Sequence, residues 1–528
     1  MRTLVMNLTR FGDLLQSQAA VSSLARSGAQ VGLVCLENFA PAAALLRDVD
    51  QVFPLPAARL LARLDQGWKP ALAVLREWGR GAGDFGAQQV VNLTSTLPAR
   101  LLARTLGPSP TLGFGLDEWG FSAHSSPWAA FLQAATRHRG CSPFNLVDLF
   151  RRVVADSGAP AGFALAAPGP EARAEARALL EAAAPAGSRG FVALQLGASA
   201  EARRWPEAAF RELGERLWAG HGLCPVLLGA KSEITLGQSF AAAGQGPFID
   251  LIGRTSLPLL AAVLAECRLL ATNDTGTMHL AAGLGVPVAA LFLATAQPWD
   301  TGPYLAGSLS LEPDLDCHPC AFNAACARDG ACRNAVGAPA VWAHVDAYLR
   351  TGSWAAAGPQ PGVRAWEARP DARGFMDLAS LSGREAGDRT AWIRLQRSLY
   401  RQFLDGEELS PRPDLGQALG PQVRVEASAL LDRAGQLLLL VREQAQALCR
   451  APLPPLKRKF LANWQTLSAL WSGSPRFSVL GDLWREQTQQ LGENIGQLVP
   501  LLERYRALAA AWRASLGENG TVVESDGP

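Results

Sequence analysis

One run of residues combines types that bind phosphate when they stand together. Asn273-Asp274-Thr275-Gly276-Thr277-Met278-His279 follows an apolar strand candidate and leads into Leu280–Pro287. Asp274 and Thr275 are good helix N-cap types, and Gly276 lets a ligand approach the backbone closely. Free N–H groups at a helix N-terminus attract phosphate, aided by the helix dipole. His279, one turn further on, is placed to lean toward the same point. An ordinary capped helix with His279 packed or solvated has the same local pattern. A second cluster reads Cys317-x2-Cys320-x5-Cys326-x5-Cys332, with His318 inside the first pair. Four thiolates in so short a loop match a closed tetrahedral zinc or iron site, structural because no coordination position stays open. Reduced or paired cysteines are the alternative. Cys35, Cys141, Cys224, Cys267 and Cys449 are isolated and read as small core residues.

These residues need a frame. Strand candidates at 3–6, 31–36, 52–54 and 90–93 alternate with helical periodicity at 14–26 and 71–78, which predicts a parallel sheet covered by helices. After a Pro/Gly/Ala-rich break at 158–170 the alternation resumes. Strands are expected at 191–196, 225–228, 269–272 and 288–293, with helices near 206–219, 256–266 and 276–283. The reading is thus an α/β protein with an N-terminal half over 1–165 and a second half over 166–350. A linker is expected over 351–373, a helical domain over 374–518 and a disordered tail over 519–528. In the helical domain Leu430, Leu431, Ala434, Leu437, Leu438, Val441 and Leu448 recur at helical spacing. A near-heptad series runs from Leu480 to Trp512, and Pro500 inside it is expected to kink or divide the helix. These stripes suit a bundle core, or else a surface for self-association or a protein partner.

Composition sets outer limits. The chain has 528 residues, 48% of them hydrophobic and 18% charged, which excludes a largely disordered protein. With 49 basic and 47 acidic side chains the net charge is +2, so nucleic acid is not an expected partner. No apolar run approaches the roughly 20 residues of a membrane-spanning helix. The N-terminal apolar stretch is interrupted by Asn7, Thr9 and Arg10, unlike a signal peptide. A cytoplasmic protein is expected, with peripheral association at the inner membrane compatible with that location.

Three segments together carry a family resemblance: Arg10-Phe11-Gly12-Asp13-Leu14-Leu15, Gln195-Leu196-Gly197-Ala198-Ser199 continuing to Arg203-Arg204-Trp205-Pro206, and Asn273–Pro287. Over about residues 1–350 the chain resembles glycosyltransferase family 9, the bacterial ADP-heptose transferases of the lipopolysaccharide inner core. The resemblance implies two Rossmann-like domains facing a cleft, the GT-B arrangement. It implies an inverting transfer from a nucleotide-diphosphate sugar, ADP-heptose or similar, to a glycan or glycolipid hydroxyl.

By position, Asp13 would be the catalytic base; its place after Gly12 at a helix start suits that role, although a capping carboxylate would sit there too. Thr275, Gly276 and Thr277 would offer backbone donors to the diphosphate, and Asp274 would orient the turn or contact the sugar. Either Arg203 or Arg204 would neutralise the leaving diphosphate; members of the family often have Lys here, and Arg cannot donate a proton. In the loop where the family contacts the nucleoside, Glu233 could accept from ribose hydroxyls and Lys231 reach a phosphate; a plain polar loop is equally compatible. Ser199 and Thr9 are weaker candidates on loops facing the cleft. No cofactor is needed for this chemistry. Some members of the family carry a similar Cys-rich loop, an iron-binding finger in a related group. Two other readings remain open: a non-catalytic adaptor that keeps the fold as a scaffold for partners, and an epimerase.

Overall fold

The computed structural model describes residues 1–107, 110–138, 142–154, 162–492 and 494–517. Cys141, residues 158–161 of the 158–170 break and the 519–528 tail lie outside the described residues. The described chain forms two compact units, residues 1–129 with 144–383, and residues 130–143 with 384–517.

The first unit holds two sheets, and the α/β alternation expected from the sequence is borne out. Strands β1 (Arg2–Met6), β2 (Gln30–Leu36), β3 (Gln51–Leu55), β4 (Gln89–Asn92), β5 (Leu112–Leu116) and β6 (Ser122–His124) take the order β3-β2-β1-β4-β5-β6. All pair in parallel except β6, which runs antiparallel to β5. Apolar runs such as Leu4–Met6 and Val90–Val91 are fully buried, as a sheet covered on both faces requires. The helices of this half include α1 (Phe11–Gln16), α2 (Gln18–Arg26), α3 (Ala57–Leu64), α4 (Trp68–Asp84) and α5 (Leu97–Leu106).

The second sheet contains β7 (Gly190–Gln195), β8 (Leu223–Leu228), β9 (Ile249–Asp250), β10 (Cys267–Asn273), β11 (Val288–Leu291), β12 (Leu309–Pro313), β13 (Val363–Pro370) and β14 (Met376–Ser380). Its order is β14-β13-β12-β11-β10-β7-β8-β9. Strands β7 to β12 are parallel, and β13 and β14 add an antiparallel hairpin at one edge. The helix after β10, α6 (Gly276–Gly283), has the expected bounds.

That hairpin departs from the sequence expectation. The segment 351–373, read as a linker, contains β13, and β14 lies where the helical domain was expected to begin. The segment is rich in Gly, Pro and Ala, yet Val363, Ala365, Trp366 and Ala368 are buried against the sheet. Asp371 closes the turn by accepting from the backbone N–H groups of Arg373 and Phe375.

The second unit is helical: α7 (Asp388–Asp405), α8 (Pro421–Arg450), α9 (Pro454–Ser472), α10 (Ser478–Gln490) and α11 (Ile495–Ser515). The α8 stripe packs inward, with Leu431, Ala434, Leu438, Val441 and Leu448 buried. The second series divides between α10 and α11, where Gly492 takes φ 56°, and not at Pro500, which lies inside α11. A proline there removes one backbone hydrogen bond, but the helix runs through it. Cys35, Cys224 and Cys267 are core residues as read, whereas Cys449 is exposed.

Candidate active site

In each sheet the strand order reverses beside a central strand: β1 lies between β2 and β4, and β7 between β8 and β10. Ligands of open α/β sheets bind beyond the carboxyl ends of strands at such switch points. Every candidate residue outside the cysteine loop follows one of these strand ends. Gly12 and Asp13 come after β1, Ser199, Arg203 and Arg204 after β7, Lys231 and Glu233 after β8, and Asp274 to His279 after β10.

The ends of the two halves touch. Helix α1 packs on α6, and a Cβ at Gly12 would lie 2.9 Å from His279 Cδ2 and 3.1 Å from Gly276 Cα. A Cβ at Gly276 would in turn meet Phe11 Cδ1 at 2.3 Å. Two glycines are therefore what lets the helix starts approach, and the approach brings Asp13 within electrostatic reach of Asp274. Burial raises the Asp13 carboxyl above the ordinary carboxylate range; the Arg10 backbone and charge and the Thr9 hydroxyl oppose that, and Asp274 adds to it. Asn7 fixes the β1 turn by donating to the Asp13 carbonyl and accepting from the Thr9 backbone and hydroxyl. Neither α1 nor α6 has a side-chain cap at its first turn.

The second half builds its loops around polar groups in the sheet. Buried Asn273 donates to the carbonyls of Leu196 and Gly197 and accepts from the Trp205 N–H, which ties the β7 loop to the β10 turn. Arg203 pairs with Asp274 at 3.5 Å and donates to Thr295 Oγ1 at 2.8 Å. Arg204 instead offers its carbonyl to Arg333, and its own Nε is buried without a hydrogen-bond partner among the described residues. Thr277 donates to Gln195 Oε1, and Gln195 donates on to Glu233, which also accepts from the Ala230 N–H. Gly197 and Gly229 make room for that carboxylate. Lys231 and Ser199 are exposed.

His279 is buried, and desolvation lowers it to about 4, so it is neutral at physiological pH and supplies no cation. Its Nδ1 has no hydrogen-bond partner among the described residues. Gln195, Asn273 and Thr295 organise the site without having been singled out as site residues. Their signal is a polar residue at the end of an apolar strand, visible in Gln195 and Asn273 but not in Thr295.

The cysteine loop brings its four thiols near one another. Cys317 and Cys326 are exposed, Cys320 is half-buried and Cys332 is buried. The Cys320 thiol is raised by burial and by Cys332, Cys317 and Cys326, so the four are neighbours. The Gly330 N–H donates to Cys326 Sγ at 3.2 Å. Among the described residues no group of three or more His, Cys, Asp or Glu side chains is placed to hold a metal ion.

Both α/β halves thus place polar turns beyond the carboxyl ends of their central strands, where open α/β sheets bind ligands. Comparison with known proteins makes this specific. Residues 86–327 match the model of glycosyltransferase family 9 (heptosyltransferase). Lipopolysaccharide heptosyltransferase 1 of Pseudomonas aeruginosa is 29% identical over 327 residues, covering 61% of this chain and 86% of that relative. Lipopolysaccharide heptosyltransferase 2 of Salmonella typhimurium is 35% identical over 95 residues, covering 17% of this chain and 27% of the relative. Among solved structures, the glycosyl transferase family 9 protein of Veillonella parvula aligns with a TM-score of 0.49 at 21% identity, covering 58% of this chain and 86% of that one. Among the described residues no helix is long and apolar enough to cross a membrane.

Proposed function

We propose that the chain transfers a heptose, or a similar sugar, from an ADP-activated donor to a hydroxyl of a lipopolysaccharide core or another cell-surface glycan, inverting the anomeric carbon. The observation that carries this reading is the contact of Gly12 with Gly276 and His279, which sets Asp13 beside the Asp274–Thr277 turn. In the proposed step Asp13 takes the acceptor's hydroxyl proton as that oxygen attacks the anomeric carbon. The bond from that carbon to the diphosphate breaks on the opposite face, and ADP leaves with the electron pair. A carboxylate raised by burial is a stronger base than an exposed one, which suits the task. The backbone N–H groups at Thr275–Thr277 and the Arg203 guanidinium stabilise charge on the leaving diphosphate. Arg203 is preferred to Arg204 because it already faces the turn through Asp274.

Glu233, with Lys231 in the same short turn, is assigned to the nucleoside, and Ser199 to the loop rim. Residues 1–165 would then form the acceptor side and 166–350 the donor side. Both relatives carry lipopolysaccharide heptosyltransferase names, which supports the choice of donor and acceptor.

The test is transfer monitored by intact mass with ADP-heptose and a lipopolysaccharide-core acceptor. Asp13→Asn should lower turnover by about 100-fold or more, and near-normal transfer would remove Asp13 as base. ADP should raise the melting temperature of the parent chain at millimolar concentration; no stabilisation favours the adaptor reading. For the cysteine loop we propose a structural zinc or iron held by Cys317, Cys320, Cys326 and Cys332, a reading that rests on the donor set. Elemental analysis should find about one metal ion per chain, lost in Cys320→Ser. Metal-free parent protein would overturn it.

A further inference from the structure

The turn that carries Arg203 has little of its own to hold it in place. Residues Glu201–Arg203 form a 3-10 turn with no buried residue, and Glu201 and Ala202 are exposed. Its backbone bonds are local: the Arg203 N–H donates to the Ala200 carbonyl and the Arg204 N–H to the Glu201 carbonyl. A segment of this kind opens easily, because few buried apolar contacts resist it. Yet the Arg203 guanidinium stands 3.5 Å from Asp274 and donates to Thr295 Oγ1 at 2.8 Å. A long, rotamer-rich side chain keeps such a geometry only if the backbone beneath it is fixed.

The cysteine loop supplies that fixing from both of its ends. At the far end Arg333, the residue after Cys332, donates from Nε to the Arg204 carbonyl at 3.1 Å, and its Nη1 lies 3.6 Å from the Glu201 carboxylate. Three residues on, the Val336 carbonyl accepts from the Trp205 Nε1–H at 2.6 Å. Trp205 is fully buried, so this bond ties the end of the loop to the end of the turn. At the near end the Cys320 N–H donates to the Ala294 carbonyl at 2.9 Å. Ala294 directly precedes Thr295, which accepts from Arg203. That end is rooted in the sheet, because His318 is buried beside Glu312 of β12 and Arg364 of β13. Both segments that hold Arg203 are therefore themselves held by one loop.

We infer that the loop over residues 317–336 is a brace for the sugar-donor site, and that Arg333 is the positioning residue through which it fixes Arg203. The inference rests on the reading of Arg203 as the diphosphate ligand. The Glu201 carboxylate is exposed, so its ion pair with Arg333 contributes little. The effect comes from the bond to the Arg204 carbonyl, which is charge-assisted and acts on the backbone next to Arg203.

The test combines ADP binding by calorimetry with backbone hydrogen exchange of the full chain free of nucleotide. Arg333→Met keeps an apolar stem and removes the guanidinium. It should weaken ADP binding about five- to tenfold, and speed exchange at the Arg203 and Arg204 amides about fivefold or more. Arg333→Lys keeps a cationic hydrogen-bond donor and should recover at least about half of the lost affinity; it carries the comparison where the methionine variant does not fold. In an Arg203→Ala background, Arg333→Met should change ADP affinity by less than about twofold, because no guanidinium is left to place. A full effect in that background would make Arg333 a general structural residue and overturn the inference. Unchanged exchange or unchanged affinity in Arg333→Met also overturns it. A parent chain that binds no ADP removes the transfer reading and this inference together, whereas absence of the Arg333 effect in a parent that binds ADP removes this inference alone.

Discussion

The strand-end turns of the α/β unit and the bundle of the helical unit are built on opposite rules. At the strand ends, packing is tight around glycine and the polar groups are linked in series: Gly12 against His279, Gly197 against Glu233, and Thr277 to Gln195 to Glu233. In the bundle, large rings fill the core. Trp512 lies 5.6 Å from Trp392, 5.4 Å from Tyr400 and 5.1 Å from Phe477, measured between ring centroids. The first arrangement fixes the direction of donors and acceptors, and a ligand can use that direction. The second maximises apolar burial and fixes shape without presenting chemistry. Loss of a side chain should therefore be read as lost turnover in one region and as lost stability in the other.

The largest effect tests that division at Asp13. Asp13→Asn should reduce transfer by about 100-fold or more with little change in melting temperature. In the parent, the acid limb of the pH–rate profile should lie above the ordinary carboxylate value, because burial raises Asp13 and the base must be ionised. An acid limb at the ordinary value would detach the profile from this residue. The counterpart in the bundle is Trp512→Ala. A fully buried tryptophan reduced to alanine costs about 3–5 kcal/mol, which should appear in denaturant melts of the helical unit. Turnover should stay within about twofold at a temperature where the variant is folded. A turnover loss as large as that of Asp13→Asn would break the comparison.

A smaller effect comes from His279. Its folded value of about 4 lies below the ordinary 6.5. For a depressed value, the stability is present above the unfolded value and is lost as pH falls toward the folded one. Between about pH 6.5 and 4 the parent should lose about 3 kcal/mol relative to His279→Asn, at about 1.4 kcal/mol per unit of displacement. Urea melts at a series of pH values measure this difference directly. Parallel stability curves for parent and variant would mean that His279 is solvated in the folded chain.

How much of this was legible in the sequence depended on whether the physics is local. The 273–279 turn was readable because a strand end, an N-cap pair and a helix start lie within a few consecutive residues, and α6 has the bounds read for it. The two-sheet alternation was readable for the same reason. The β13–β14 hairpin was not, because Gly and Pro in 351–373 resemble a linker until Trp366 finds its place on β12 and donates to Glu312. Proline is the stronger helix breaker in composition, yet α11 runs through Pro500 and the chain divides at Gly492, whose positive φ only the folded backbone reveals. Proximity of Asp13 to Asp274, and the preference of Arg203 over Arg204 for Asp274, are tertiary facts that no local pattern contains. Cysteine spacing pointed to the four thiols as a group, and they do lie near one another, but which of them stand at the surface, Cys317 and Cys326, is a tertiary fact.

The smallest predicted effect is the sharpest probe of linked polar groups at the strand ends. A Cβ at Gly197 would fall 1.6 Å from Glu233 Oε1, inside the carboxylate. Glu233 is a flexible side chain, so Gly197→Ala should not collapse the fold; the carboxylate should swing away. Doing so breaks its bonds from the Ala230 N–H and Gln195, 2.8 and 3.2 Å in the parent, at a cost of about 1–3 kcal/mol. Glu233→Ala breaks the same bonds directly. The two substitutions should therefore be strongly non-additive: in the Glu233→Ala background Gly197→Ala should cost less than about 0.5 kcal/mol. Additive losses would show that Gly197 is required by its own backbone and not by the carboxylate, and the chain of bonds from Thr277 to Glu233 would lose its role in shaping the β7 loop.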